Sequence, residues 1–192
     1  MLITVSGPPG SGKSTNAAGL ADRLGFDHVS GGDIFREMAA ERDMTPVEFN
    51  EFAESDPQFD RKLDSRLYEI ATTSDETVLE SRLAGWLAGA HADFRFWFDA
   101  PVAIRAERIA AREGKPVDRA QAETERREAS ERKRYLEYYD IDIDDLSIYD
   151  AAYNTARWGP DRFLDVLVAT INAHDPADDE GKAPIDGVNY DF

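Results

Sequence analysis

Residues 7–14, with the sequence GPPGSGKS, decide the fold because they match the pattern G-x-x-x-x-G-K-[ST]. The β-branched run LITV at residues 2–5 predicts a buried strand just before them, and residues 15–24 predict a helix just after. Glycines in such a loop let consecutive backbone N–H groups converge on phosphate oxygens, and the helix N-terminus adds positive potential. A tight turn that only caps the helix is the alternative, but the strand and helix on either side favour a phosphate-binding loop.

The residue types in this loop have separate tasks. Lys13 is expected to reach the outer phosphates of a nucleoside triphosphate, and the Ser14 hydroxyl is expected to ligate Mg²⁺. The stretch predicted to bind ATP consists of Gly7, Pro8, Pro9, Gly10, Ser11, Gly12, Lys13, Ser14 and Thr15.

The chain is acidic, with 39 Asp and Glu against 22 Lys and Arg and a net charge of −17. Such a field disfavours a nucleic-acid partner. Only five of the basic residues are Lys, and an acidic, lysine-poor surface favours a protein adapted to molar salt, where the Debye length is about 3 Å. An ordinary acidic cytosolic protein is the alternative. A site for polyanionic nucleotides then requires the arginines to be concentrated around the cleft.

Composition also limits location and chemistry. No apolar run approaches the ~20 residues that a membrane span needs. Residue 3 already lies in the first predicted strand, which leaves no room for a signal peptide, so we expect a cytoplasmic protein without a membrane partner. Cysteine is absent, which excludes disulfides and cysteine-based metal sites.

Strands and helices alternate along the chain, which predicts a parallel sheet. Further strands are predicted at 28–30, 77–80 and 94–98, with a last strand region at 146–149 and 152–154. Helices are predicted at 33–54, 57–72, 102–113, 119–139 and 161–173, with a helix start signal at residues 45–48. Residues 175–192 are acidic and rich in Pro and Gly, which predicts a disordered or loosely attached tail.

Ligands of parallel sheets bind beyond the carboxyl ends of the strands, so the residues just after each strand are candidates. Ser30, Asp33 and Arg36 follow the second strand, and Glu80 and Arg82 follow the third. The planar fork of Arg suits a second phosphate group, and Asp33 and Glu80 could hold waters around Mg²⁺. Surface salt bridges are the alternative for both arginines.

Two later segments are rich in arginine. Arg105, Arg108 and Arg112 lie three and four residues apart, hence on one helix face, and Arg127 and Arg134 lie two turns apart. These arginines predict a mobile lid that closes over a phosphoryl group in transfer and excludes water. A solvated, salt-bridged helix is the alternative.

These segments together resemble the nucleoside monophosphate kinases, and more closely the archaeal-type cytidylate kinases. The resemblance rests on the loop and on SGGDIFR at 30–36, LESRLAGW at 79–86, REASERKRY at 127–135, and IDIDDLSIYD at 141–150 followed by Asn154 and Thr155. It covers residues 1 to about 173. Ser81 stands where the family usually has Gly.

The resemblance implies the P-loop NTPase fold, a three-layer α/β/α arrangement with a mainly parallel five-stranded sheet. One domain would span residues 1–174, with a helical monophosphate-binding insertion at about 31–72 and a lid at about 113–135. It implies transfer of the ATP γ-phosphoryl group to CMP, and to dCMP, with Mg²⁺. We also expect a monomer. Residues expected to bind the acceptor are Ser30, Asp33, Arg36 and Arg82; those expected to act in catalysis are Lys13, Arg108, Arg112, Arg127 and Arg134.

Two other classes of function remain open from the residues alone. A kinase for AMP, UMP or shikimate would have the same phosphate machinery, because base specificity depends on a few hydrogen-bonding side chains. A non-catalytic nucleotide-dependent switch is the other class. The chain lacks the N-K-x-D guanine-reading motif of GTPase switches, and a switch has no need of paired arginines and an arginine-rich lid.

Overall fold

The computed structural model describes residues 1–54, 56–190 and 192. At its centre lies a sheet of five strands: β1 (Leu2–Ser6), β2 (Asp27–Ser30), β3 (Thr77–Glu80), β4 (Phe94–Asp99) and β5 (Ala151–Asn154). Their order is β2-β3-β1-β4-β5, and every neighbouring pair is parallel. This confirms the predicted parallel five-stranded sheet. β1, the first strand in the sequence, is the central strand of the sheet. The loop that follows β1 therefore lies in the middle of the sheet edge.

Eight helices surround the sheet in the described part of the chain: α1 (Lys13–Leu24), α2 (Gly31–Ala40), α3 (Pro46–Ala53), α4 (Pro57–Thr73), α5 (Ala84–Ala88), α6 (Val102–Glu113), α7 (Val117–Tyr139) and α8 (Pro160–Ala173). Short 3₁₀ turns cover Gly89–His91 and Thr155–Arg157. None of the described helices is long and apolar enough to cross a membrane.

Two local predictions need correction. The predicted helix at 33–54 is two helices, because Thr45 starts a new one at the predicted signal: its hydroxyl accepts from Glu48 N while the Glu48 carboxylate accepts from Thr45 N. Residues 146–149 form a turn instead of a strand. There the backbone N–H of Tyr149 donates to the carbonyl oxygen of Leu146. This hydrogen bond forms a turn, so the backbone is not extended for pairing with a neighbouring strand.

The strands alternate their side chains between two apolar layers. Phe94, Phe96 and Phe98 of β4 pack on one side against helices α1 and α8. Trp97 lies in the layer on the other side, among residues of α4, α5 and α7. The period of two along β4 therefore produces the three-layer architecture that the sequence predicted.

The C-terminal segment differs from its prediction as a disordered or loosely attached tail. Side chains of residues 185, 188, 190 and 192 pack against the apolar layer that contains Trp97. The guanidinium group of Arg95, which is 1% exposed, donates to the carbonyl oxygen of Ala183 at 2.9 Å. The prediction rested on the acidic, Pro- and Gly-rich composition of the segment and did not take these widely spaced apolar residues into account.

Aromatic rings fix the end of this segment. The Tyr190 hydroxyl donates to the carbonyl oxygen of Trp86 at 3.0 Å. The ring of Tyr190 lies 5.2 Å from that of Tyr68 on α4, and the ring of Phe192 lies 5.8 Å from that of Tyr139 on α7. The C-terminal segment therefore contacts three helices near one edge of the domain.

Candidate active site

The glycine loop adopts a conformation that favours glycine. Gly7, Gly10 and Gly12 have φ angles of 145°, 77° and 86°. A Cβ on Gly7 would lie 1.9 Å from the carbonyl oxygen of Phe98, and one on Gly10 would lie 2.7 Å from that of Arg105. The loop is thus packed closely against β4 and α6. Because α1 begins without a side-chain cap, its first backbone N–H groups remain for a phosphate.

Lys13 and Ser14 lie at the start of α1, where the loop ends. Lys13 Nζ donates to the carbonyl oxygen of Pro8 at 3.1 Å. Burial lowers the pKa of Lys13 to about 8, although the charge of Glu80 opposes this. Ser14 Oγ donates to Glu80 Oε1 at 2.8 Å, which joins the loop to the end of β3. The lysine is therefore a partly buried cation that an anionic ligand would stabilise.

A cavity of about 500 Å³ connects this loop with α2, α4, α6 and α7. Seven basic and four acidic side chains line it, in a chain of net charge −17, so basic residues are concentrated around the cleft as predicted. These side chains are Lys13, Arg36, Arg82, Arg108, Arg112, Arg127 and Arg134 against Asp60, Asp64, Glu80 and Glu131.

The four predicted acceptor residues fall into two pairs. Arg36 and Arg82 line the cavity, whereas Ser30 and Asp33 are not among its described lining residues. Ser30 is buried, donates to Glu80 Oε1 at 2.5 Å, and accepts from the backbone N–H of Asp33. Asp33 Oδ1 accepts from Arg36 Nη2 at 2.5 Å, and both side chains are more than half exposed. Ser30 therefore orients Glu80, and Asp33 orients Arg36, although neither Ser30 nor Asp33 is among the described residues that line the cavity.

Glu131 on α7 is a buried carboxylate between two arginines, an arrangement called here the Glu131 bridge. Arg82 Nε donates to one of its oxygens at 2.6 Å, and Arg127 Nε donates to the other at 2.7 Å. Burial by itself would raise the pKa of Glu131, but the two guanidinium groups lower it to about 2. Nη1 of Arg82 is buried and has no hydrogen-bond partner among the described residues. The bridge therefore fixes Arg82 in the cavity wall and leaves one of its donors unpaired.

The arginines of α6 differ in how they are held. Arg108 donates to the carbonyl of Gly10 at 3.2 Å and to Thr155 Oγ1 at 3.0 Å. Arg112 pairs with its neighbour Glu113, and its side chain is 65% exposed. Arg105 is buried and donates to the carbonyl of Pro9, so it supports the loop rather than lining the cavity.

Four buried polar residues between α4 and α7 form what is called here the Asp64 cluster: Asp60, Asp64, Arg134 and Tyr139. Arg134 Nε donates to Asp60 Oδ2 at 2.8 Å, and Tyr139 Oη donates to Asp64 Oδ2 at 2.8 Å. Burial, and then the charge of Asp60, raises the pKa of Asp64 to about 8. Arg134 was predicted to stabilise charge or contact the base, and here it is committed to Asp60.

Sequence reasoning missed Asp60, Asp64, Glu131 and Tyr139. One signal was present, because residues 60, 64, 67 and 71 form the fully buried stripe of α4. Two of these four positions are aspartates. A charged residue on a core-facing stripe is unusual and indicates a partner or a ligand.

A phosphate loop with its lysine, facing further arginines across one cavity, defines a P-loop kinase, in which donor and acceptor phosphates meet. The model of the cytidylate kinase-like family matches residues 2–157. A cytidylate kinase of Halorubrum lacusprofundi is 86% identical over 192 residues, which is all of both chains. One of Pyrococcus furiosus is 48% identical over 181 residues, 94% of this chain and 93% of that one. The chain belongs to the cytidylate kinase-like family.

Solved structures support the fold. A shikimate kinase from Bacteroides thetaiotaomicron superposes with a TM-score of 0.62 at 15% identity, covering 90% of this chain and 98% of that one. An uncharacterized protein from Eubacterium ventriosum gives a TM-score of 0.66 at 16% identity, covering 91% and 99%. At these identities the likeness concerns the fold alone, and it confirms the predicted P-loop architecture.

Proposed function

We propose that this protein transfers the γ-phosphoryl group of ATP to CMP and dCMP. The observation that supports this most directly is the cavity with Lys13 at the loop and the unpaired Nη1 of Arg82 in its wall. A monophosphate bound by Arg82 and Arg36 would share the cavity with the phosphates bound by the loop. Membership of the cytidylate kinase-like family supports cytosine as the base.

In the proposed reaction an oxygen of the acceptor phosphate attacks the γ-phosphorus of ATP, and the bond to the β–γ bridging oxygen breaks to release ADP. The protein contributes position and charge. Loop N–H groups and Lys13 bind the donor, and Arg82 and Arg36 bind the acceptor. Arg108, Arg112 and Arg127 line the cavity and would stabilise the charge that passes between them, whereas Arg134 is buried in its pair with Asp60.

Mg²⁺ is the metal that the loop implies, and Ser14 with Glu80 fits it. Their oxygens lie 2.8 Å apart beside Lys13, and oxygen ligands suit this ion. Ser14 would bind it directly and Glu80 through water. Asp33, predicted as a second such residue, is paired with Arg36. No group of three His, Cys, Asp or Glu side chains in the described residues could hold a metal, so phosphates and water would supply the remaining ligands. When bound, the ion neutralises charge on the transferred group.

We also propose that the turn between α6 and α7, with the arginines on either side of it, forms the lid. Arg112 and Arg127 are 65% and 43% exposed and can move toward a substrate. The C-terminal part of α7 is anchored by buried Tyr135 and Tyr139. The first turns of α7 pack on the end of α6 through Ala120. Closure would therefore move these two segments together, and it would exclude water that competes as a phosphoryl acceptor.

A coupled kinase assay in molar KCl, with ATP and Mg²⁺, tests the function. CMP, dCMP, UMP, AMP and shikimate are offered in parallel, and we expect preferential conversion of CMP and dCMP. Preference for another acceptor would keep the kinase and overturn the base assignment. ATP binding without conversion of any acceptor would favour the nucleotide-dependent switch.

The proposed setting is a cytoplasm of high salt, where the protein acts as a monomer. The charge of −17 and the five lysines support the salt adaptation. We expect the thermal midpoint to rise between dilute buffer and molar KCl as self-repulsion is screened. An unchanged midpoint would contradict this, and light scattering on a sizing column checks the oligomeric state.

A further inference from the structure

The proposed reaction uses the arginines of the cavity and leaves the Asp64 cluster without a task. Asp60 and Asp64 are each 5% exposed, so both carboxyl groups have lost most of their water. Burial of polar groups of this kind is costly, and apolar side chains would pack the same space more favourably. A cluster that is retained at this cost within a substrate cavity points to recognition.

The surroundings of Asp64 fit a nucleobase. Asp64 lines the cavity together with the apolar side chains of Leu63, Leu67 and Leu83. Flat, largely apolar rings are held by such walls, with a few polar groups that fix their orientation. Among the described residues, Oδ1 of Asp64 has no hydrogen-bond partner, because only Oδ2 is bound by Tyr139.

We propose that Asp64 reads the base of the acceptor nucleotide by pairing with N3 and N4 of cytosine, and that Tyr139 positions it for this task. This inference rests on the proposed function. It assigns to two residues of α4 and α7 the distinction between an amino and a keto pyrimidine.

The pairing follows from the hydrogen-bonding groups on each side. A protonated Asp64 with its hydrogen on Oδ1 donates to N3 of cytosine. Its carbonyl oxygen Oδ2 has two lone pairs, so it accepts from the N4 amino group as well as from Tyr139. Uracil has N–H at position 3 and an oxygen at position 4. The O–H of Asp64 would then face the N–H at position 3, and the accepting oxygen Oδ2 would face the oxygen at position 4, so neither hydrogen bond could form.

Tyr139 decides which oxygen of Asp64 has the hydrogen. Burial, and then Asp64 itself, raises the pKa of Tyr139, so its phenol remains protonated and acts as a donor. A phenol that donates to Oδ2 keeps the hydrogen of Asp64 on Oδ1. Without Tyr139 the carboxyl group could move its hydrogen to Oδ2 and then match uracil. Selectivity between the two bases therefore requires both residues.

Protonation of Asp64 at neutral pH depends on all the groups that face it. Burial and the neighbouring Asp60 of α4 favour the neutral acid, and so does Glu131 of α7. The Tyr139 hydrogen bond and the charge of Arg134 act in the opposite direction, and burial prevails with a pKa of about 8. CMP affinity should therefore fall as pH rises through about 8.

The test compares Asp64→Leu, Asp64→Asn and Tyr139→Phe with the wild type, with Tyr138→Phe as the control for loss of a nearby phenol. The readouts are kcat/KM for CMP relative to UMP, and CMP affinity by calorimetry without ATP between pH 6.5 and 9.5. A wild type that fails to phosphorylate CMP would overturn the proposed function, whereas the variants address the inference alone.

Asp64→Leu should reduce the preference for CMP over UMP by about 10²-fold or more, since both hydrogen bonds to the base are lost. Asp64→Asn presents an N–H₂ donor and a carbonyl acceptor in the same places. It should keep CMP affinity at pH 7 within about tenfold and lose the decline above pH 8. Tyr139→Phe should relax the preference by about tenfold, and Tyr138→Phe should leave it unchanged.

The inference is overturned if Asp64→Leu folds, binds ATP and keeps the wild-type preference. Where that variant does not fold, Asp64→Asn and Tyr139→Phe decide the matter. An unchanged pH profile in Asp64→Asn together with an unchanged preference in Tyr139→Phe would equally overturn it.

Discussion

Glu131 and Asp64 are both buried carboxyl groups in the wall of one cavity, yet at neutral pH Glu131 is ionised and Asp64 is mostly protonated. Glu131 lies between Arg82 and Arg127, and its pKa is about 2. Asp64 lies beside Asp60 and Tyr139, and its pKa is about 8. Burial disfavours the charged form in both, so the neighbours make the difference.

The two surroundings produce two kinds of recognition. The Glu131 bridge fixes positive charge, which under the proposed function would bind a phosphate whatever base it is attached to. The Asp64 cluster presents a neutral donor and acceptor, which suits one base edge. In this proposal, charge would supply affinity for the phosphate, while unpaired hydrogen-bonding groups would supply selectivity, within a single cavity.

The largest effect is expected from Lys13→Ala, because Lys13 lies in the glycine loop and belongs to neither the Glu131 bridge nor the Asp64 cluster. We expect kcat to fall by about 10³-fold or more, because a partly buried ammonium group on the transferring phosphates is lost. Circular dichroism should show an intact fold. A kcat within tenfold of the wild type would mean that Lys13 does not contact the transferred group.

Arg82→Ala breaks the Glu131 bridge on the acceptor side. We expect KM for CMP to rise by about 10²-fold and KM for ATP to change little, because the lost donor binds the acceptor phosphate. Arg36→Ala should raise KM for CMP by about tenfold, since that side chain is exposed and already paired with Asp33.

Arg23→Ala, which removes a surface pair with Asp165, is the matched control and should leave both constants unchanged. Equal effects of Arg36→Ala on the two substrates would show that Arg36 lies outside the acceptor site.

Glu131→Gln sharpens the comparison through stability. The pKa of Glu131 is depressed in the folded protein, so its stabilisation is present above the ordinary value of 4.5 and is lost as pH falls toward about 2. Of the stability lost between pH 6 and pH 3 in urea unfolding, Glu131 should account for about 2 kcal/mol. The glutamine variant should be less stable at pH 6 and show a smaller dependence on pH. Equal slopes for both proteins would contradict the charged bridge.

Removal of residues 182–192 should have the smallest effect on turnover. Activity should stay within a few-fold, while the thermal midpoint falls by several degrees, because apolar surface near Tyr139 and the partner of Arg95 are lost. Because Phe192 contacts Tyr139, the deletion could change the preference for CMP over UMP. KM for ATP should stay unchanged. Scanning calorimetry and the coupled assay measure both, and an unchanged midpoint would mean that the tail is only loosely attached.

Local patterns predicted most of the fold. The glycine loop, the strand before it and the capping signal at Thr45 are each determined within a few residues, and the structure has all three. Arg36 and Arg82 could be proposed as acceptor-binding residues because the carboxyl ends of parallel strands meet at one edge of the sheet.

The Asp64 cluster could not be predicted in this way. Tyr139 and Asp64 are 75 residues apart, and only the packing of α7 on α4 brings them together. The same applies to the C-terminal segment, whose few apolar residues acquire a role only once Tyr68 and Trp86 are in place to receive them.

Arg95 has a consequence for the order of events during synthesis. It lies in the middle of the chain, is almost fully buried, and has its closest partner in the carbonyl group of Ala183. Residue 183 is synthesised 88 residues after Arg95. Until then the guanidinium group must stay hydrated or hold Asp150 alone. Final closure of this side of the sheet therefore waits until residue 183 has left the ribosome.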